Sequence, residues 1–156
     1  MDHSREEVLL LLRQAEVAAV ATVARDKLRT RMMHFAVDDD FRIYVATMKD
    51  DPKTLQIAQH PNLSLLIYFP ASDFSDSQEI EFIGVPHFVR QDQERQTALE
   101  LVSRKSPIVK HLLDTGSTDV LDCIRVEPQA IKLRVFKEIV QGQPPTVIDF
   151  PGSEPV

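Results

Sequence analysis

The chain holds a single cysteine, Cys123. That excludes an internal disulfide and any zinc site built from several thiolates. Glycine is scarce, four in 156 residues, and nowhere do glycines cluster into a phosphate-cradling loop, which excludes a dinucleotide fold of the Gly-rich kind. Basic residues are outnumbered 18 to 24 by acidic ones, for a formal net charge of −6. Nucleic-acid binding needs clustered Lys and Arg to neutralise phosphates, so that balance argues against it. Long apolar runs are missing too. The stretch Val8 to Leu12 is too short to span a bilayer, and acidic residues precede it. We therefore expect a cytoplasmic protein with no membrane segment and no export signal.

Metal and nucleophile signatures are equally thin. His34, His60, His87 and His111 show neither metal-ligand spacing nor an evident nucleophile partner. They are read as structural, Asp38 to Asp40 as a solvated turn, and Cys123 as a core residue. No metal site is expected.

What remains is ordinary globular material: 43% hydrophobic and 27% charged residues over a one-domain length. Ser4 and Glu7 have capping-box spacing and predict a helix from about Arg5 to Ala15. Glu16 to Val23 and Leu28 to Val37 read as strands. Phe41 to Thr47 is a third, with Phe41, Ile43, Val45 and Thr47 on one face. Together these predict an antiparallel meander. Asp51 can cap a helix that has Pro52 at its first position and Leu55, Ile57 and Ala58 on its apolar side, and which stops before Pro61. Ser64 to Phe69 is continuously apolar, a central strand needing cover on both faces. Strands follow at Glu79 to Gly84 and His87 to Val89, then helices at Asp92 to Arg104 and Pro107 to Leu113. Val120 to Val126 and Ala130 to Phe136 are the last strands. Residues 141–156, with four of the ten prolines, read as an extended arm or loose end. Without βαβ alternation, the pattern predicts an antiparallel barrel with peripheral helices.

Two cations stand out. Arg29, Arg31, Met33, Phe35 and Val37 share a strand face, so Arg31 lies among apolar neighbours and must reach water or an anion. Lys53 falls in the first turn of a helix, where a cation opposes the helix dipole unless an anion is present. Helix N-termini bind phosphate readily. The pair suggests an anionic ligand near Thr47, Asp51 and the helix start, against the plainer reading of two solvated surface residues.

The order Arg31-Met32-Met33, Tyr44-Val45-Ala46-Thr47, Lys53, Gln56-Ile57, His60-Pro61-Asn62 and Ser64-Leu65-Leu66, followed by GVPHFVRQDQER from Gly84 to Arg95, resembles the pyridoxamine 5′-phosphate oxidase superfamily. The resemblance implies an α+β, mainly antiparallel, six- or seven-stranded split β-barrel over residues 1–140, with 141–156 as its tail. It further implies a homodimer that holds FMN in clefts between subunits. The phosphate contacts would be Arg31 and Lys53, the backbone contacts to the ring Met32 and Met33, and the strand-end contacts Thr47 and Met48. A glutamine near the flavin corresponds to Glu79 or the adjacent Gln78.

Two departures matter. Asp51-Pro52 replaces the family's Ser-Arg, which removes a cation and adds a carboxylate. The arginine-rich substrate motif near the C-terminus is absent, so pyridoxamine-phosphate oxidation itself is not expected. The implied function is FMN-dependent oxidation or reduction of a small molecule, with a nicotinamide as one candidate electron donor. The alternatives are a non-catalytic module for flavin, haem or deazaflavin, and a cofactor-free dimer.

Overall fold

The computed structural model describes residues 2–59 and 61–152. His60 and the last four residues of the predicted tail lie outside it, as do the side chains of Leu55 and Ala58. The elements run α1 Arg5–Gln14, β1 Val17–Ala24, β2 Lys27–His34, β3 Ala36–Val37, β4 Ile43–Met48, α2 Pro52–Gln59, β5 Leu63–Phe69 and β6 Gln78–Phe88. Then come α3 Asp92–Ser103, α4 Pro107–Asp114, β7 Leu121–Val135, α5 Phe136–Val140 and β8 Thr146–Asp149. The strands form one antiparallel sheet in the order β2-β1-β5-β6-β7-β4-β3, with β8 added on β7.

Local chemistry sets the helix starts. The Ser4 hydroxyl accepts the Glu7 N–H at 3.1 Å and caps α1. The reciprocal half of the predicted capping box is replaced: the Glu7 carboxylate reaches past Ser4 to His3 Nδ1, 2.8 Å away. Asp51 Oδ1 accepts the Lys53 N–H at 2.9 Å, with Pro52 opening α2 as expected. Ser106 does the same for α4, accepting the Val109 N–H ahead of Pro107.

Three strand readings are corrected. The run 28–37 is not one strand but β2 and β3, broken at Phe35. β2 pairs with β1, and β3 with β4, at opposite ends of the sheet path. One bent run thus curls the sheet toward closure, and the predicted meander keeps both its antiparallel pairings, β1 with β2 and β3 with β4, but not as three adjacent strands. The two predicted strands within 79–89 are one, β6 (Gln78–Phe88), with a bulge at Ile83/Gly84. β5 pairs with β6 only as far as Gly84, so beyond it Pro86 lacks no ladder bond on that side. The two final strands are one, β7, whose first half lies between β4 and β6 and whose second half lies between β6 and β8. Pro128 sits opposite Gly84 at the bulge.

The segment 141–152 is not loose. Thr146 and Ile148 alternate inward and are buried, and β8 pairs with β7 through residues 130–133. Its prolines flank the strand instead of interrupting it.

The core has two parts. Phe35, Ile43, Val45, Leu65, Ile80, Phe82, Ile124 and Ile131 fill the barrel, closed at one side by Val8 and Leu12 of α1. A second cluster packs α3 and α4 on the outer face of β4 and β7, through Tyr44, Leu99, Val102, Val109, Leu121 and Cys123. Cys123 is therefore a core residue, and burial pushes its thiol up to about 12, which keeps it protonated. Among the described residues no helix is long and apolar enough to cross a membrane, and no cluster of His, Cys, Asp and Glu could hold a metal ion.

Candidate functional site

The bend at Phe35 creates an opening. Among the described residues, β2 is paired only through β1, and β4 has a second neighbour only at Ile43 and Tyr44. The two strands present unpaired edges toward each other, and an edge strand is a row of backbone donors and acceptors. A cleft of about 230 Å³ lies there, lined by Met32, Met33 and His34 of β2 and by Ala46, Thr47 and Met48 of β4. Lys53 closes it from α2, and Val102, Val109 and Leu121 of the second core cluster wall it together with Ser106 and Ile108 at the start of α4. The walls are mostly apolar, with a few polar groups. That is the usual character of a small-molecule site, although this volume is below the roughly 300–1,000 Å³ of one that engulfs its ligand.

Five of the eight residues singled out in the sequence, Met32, Met33, Thr47, Met48 and Lys53, therefore meet in one cleft from three separate elements. Arg31 of β2 is not among the residues that line it. Its guanidinium donates to Thr22 Oγ1 at 3.0 Å and to Gln56 Oε1 of α2 at 2.9 Å. Burial pulls its pKa below the ordinary value; Asp51 acts the other way, and Arg29 adds to the depression. The cation found neutral partners rather than a carboxylate contact, which leaves charge to offer an anion.

The start of α2 is less open to an anion than its position suggests. Asp51 occupies the Lys53 N–H through Oδ1 and the Thr54 N–H through its carbonyl, and its Oδ2 lies 3.9 Å from Lys53 Nζ. An anion here would be held by side-chain charge and would compete with Asp51. The Thr47 hydroxyl is buried and tied to Thr54 Oγ1 at 3.1 Å.

Gln78 and Glu79 are not walls of this cleft. Gln78 borders a different opening of about 450 Å³, beside Glu16, Tyr68 and the C-terminal end of α1. Glu79 is half-buried on the outer sheet face, where Arg134 lies between it and Glu81, 3.8 and 3.7 Å away. His34, read from sequence as structural, lines the cleft instead. A period-2 count from Met32 places the two on the same strand face, but nothing in the sequence said that this face would border a cleft.

No family model and no curated protein sequence matches the chain. Solved structures do. A Listeria innocua protein, provisionally assigned as a pyridoxamine 5′-phosphate oxidase, superposes with TM-score 0.61 at 21% identity, over 85% of this chain and 97% of that one. An FAD-binding protein from Mesorhizobium loti gives 0.67 at 14% identity, over 84% and 94%. A haem-binding protein from Mycobacterium smegmatis gives 0.67 at 14%, over 86% of this chain but 55% of the other. The chain thus has an α+β split-barrel fold, shared with solved structures that include an FAD-binding protein and a haem-binding protein.

Proposed function

We propose that this chain is an FMN-binding, oxidoreductase-like protein whose cleft is completed by a second copy of itself. The observation that carries this reading is the convergence of Met32, Met33, Thr47, Met48 and Lys53 on the split between β2 and β4. Two unpaired strand edges suit a flat heterocycle rimmed with donors and acceptors, and apolar walls suit its faces. Lys53 and Arg31 would hold the phosphate. When bound, the isoalloxazine supplies hydride chemistry, and the chain supplies binding, orientation and electrostatics. The substrate is a small organic molecule. Pyridoxamine phosphate is not assigned, because the arginine-rich motif that would hold it is absent.

The dimer is supported by what the single chain leaves bare. Met32, Ala19 and Leu66 form one row across β2, β1 and β5. Met32 is 64% and Leu66 44% exposed, with Tyr68 next to them at 52%. The apolar strand Ser64 to Phe69 is covered on its barrel side only. Met32 belongs both to this row and to the cleft, so a partner laid on the row would also enlarge a cleft too small for FMN alone. The haem reading is weaker, since the haem-binding relative matches over only 55% of its length.

The test is the visible spectrum of the purified protein, followed by titration with FMN and riboflavin. A flavin spectrum, or saturable FMN binding, is expected. A Soret band would favour the haem module, and a colourless protein that binds no flavin would favour the cofactor-free dimer. Lys53→Ala should weaken FMN roughly ten- to a hundredfold while sparing riboflavin, the loss of one charge-assisted contact. Equal weakening of both would put the phosphate elsewhere.

A further inference from the structure

The polar groups of the cleft are mostly spoken for. Thr47 is tied to Thr54, the Ser106 hydroxyl accepts the Val109 N–H, and Lys53 lies beside Asp51. His34 is different. Its Nδ1 is enclosed and, among the described residues, has no hydrogen-bond partner; among the same residues no hydrogen bond or ion pair engages the rest of the ring. A proton on Nδ1 would therefore be a buried donor without an acceptor, the costlier way to leave a polar atom unmatched. The proton goes to Nε2, the nitrogen that is not enclosed. The result is a donor in the wall of the cleft.

We propose that His34, as the Nε2–H tautomer, is a positioning residue of this cleft that donates a hydrogen bond to a carbonyl-type acceptor on the ring of a bound flavin. The assignment rests on the flavin reading above. It separates two parts of the ligand: Lys53 recognises the phosphate, whereas His34 recognises the heterocycle. The ring is the right target because the cleft residues beside His34 on β2, Met32 and Met33, are apolar, as is most of the lining.

Two measurements test it. Nitrogen-15 NMR of the histidine side chains, with His34→Gln to assign the signal, should show His34 free of ligand with Nδ1 unprotonated, as the Nε2–H tautomer. An Nδ1–H tautomer would overturn the proposal. Titration with riboflavin and FMN then reads the contact. His34→Leu should weaken both ligands by the same factor, roughly three- to tenfold for one neutral hydrogen bond, and His34→Gln, which keeps a donor, should recover part of the loss. Lys53→Ala serves as the contrast, since it should affect FMN alone. Wild-type affinity retained in His34→Leu, with both proteins equally folded by circular dichroism, would sink the His34 assignment and leave the flavin reading standing. Wild-type protein that binds neither ligand would sink both.

Discussion

Arg31 of β2 donates to Gln56 of α2 across 2.9 Å, and this contact ties the strand edge of the cleft to the helix that carries Lys53. Asp51 lies close enough to favour the Arg31 charge and also caps the helix. One carboxylate thus sits between two cations assigned to a phosphate.

That arrangement makes Asp51 the first residue to vary. Asp51→Ser keeps a capping oxygen and removes the charge. FMN affinity should rise, while stability changes by less than about 0.5 kcal/mol, since Ser and Asp cap about equally. Asp51→Ala should cost about 1 kcal/mol through loss of the cap. Urea unfolding and flavin fluorescence quenching measure the two effects separately. An FMN affinity in Asp51→Ser that equals or falls below wild type would show that the carboxylate does not oppose the phosphate.

The exposed row on β2, β1 and β5 predicts the oligomeric state. Wild type should scatter light as a dimer at micromolar concentration. Leu66→Glu places a charge in the centre of the proposed contact, so it should shift the protein toward monomer and weaken FMN with it. A charge at this position, exposed in the single chain, should leave the melting of the monomer nearly unchanged, within about 0.5 kcal/mol. A monomeric wild type would remove the shared cleft.

His3 joins both ends of the chain. Its Nδ1 meets Glu7 at 2.8 Å and its Nε2 meets Glu138 of α5 at 2.9 Å, while its N–H donates to Thr146 Oγ1 in β8. Burial works against the charged ring, but hydrogen bonds to Glu138 and Glu7, and the charge of both, outweigh it and raise the pKa above 6.5. A raised histidine pKa contributes stability that is full below the unfolded value and lost as pH rises through the folded one. His3→Gln should therefore destabilise the protein more at about pH 6 than at about pH 8.5. Equal losses at the two pH values would show that the ring holds α5 without its charge.

Gly84 tests the bulge between β6 and β7. A Cβ there would lie 2.4 Å from the Glu127 carbonyl oxygen and 2.7 Å from Val126 Cγ1. Gly84→Ala should cost about 1–3 kcal/mol, the usual penalty of overpacking, read as a lower urea midpoint. An unchanged midpoint would mean that the two strands separate freely at this point.

The sequence alone determined what depends on near neighbours. Ser4 and Asp51-Pro52 mark the starts of α1 and α2 because a cap acts over three residues. The alternation of Ile43, Val45 and Thr47 marks a strand face because side-chain direction repeats every two, whereas Phe41 precedes the strand in a bend. Arg31 and Lys53 stood out for the same reason, as charges in positions their immediate surroundings did not favour. The tertiary structure decided whatever depends on pairing at long range. The run 28–37 breaks at Phe35 because its halves pair with strands at opposite ends of the sheet. Residues 121–135 run as one strand past Pro128 because β6 bulges at Gly84 to meet it. The proline-flanked segment 146–149 joins the sheet because β7 offers it an edge. His34 shares a strand face with Met32 in any reading of β2. It became a cleft residue only because that face borders the split, and a split is a property of two strands that fail to pair, which no single segment encodes.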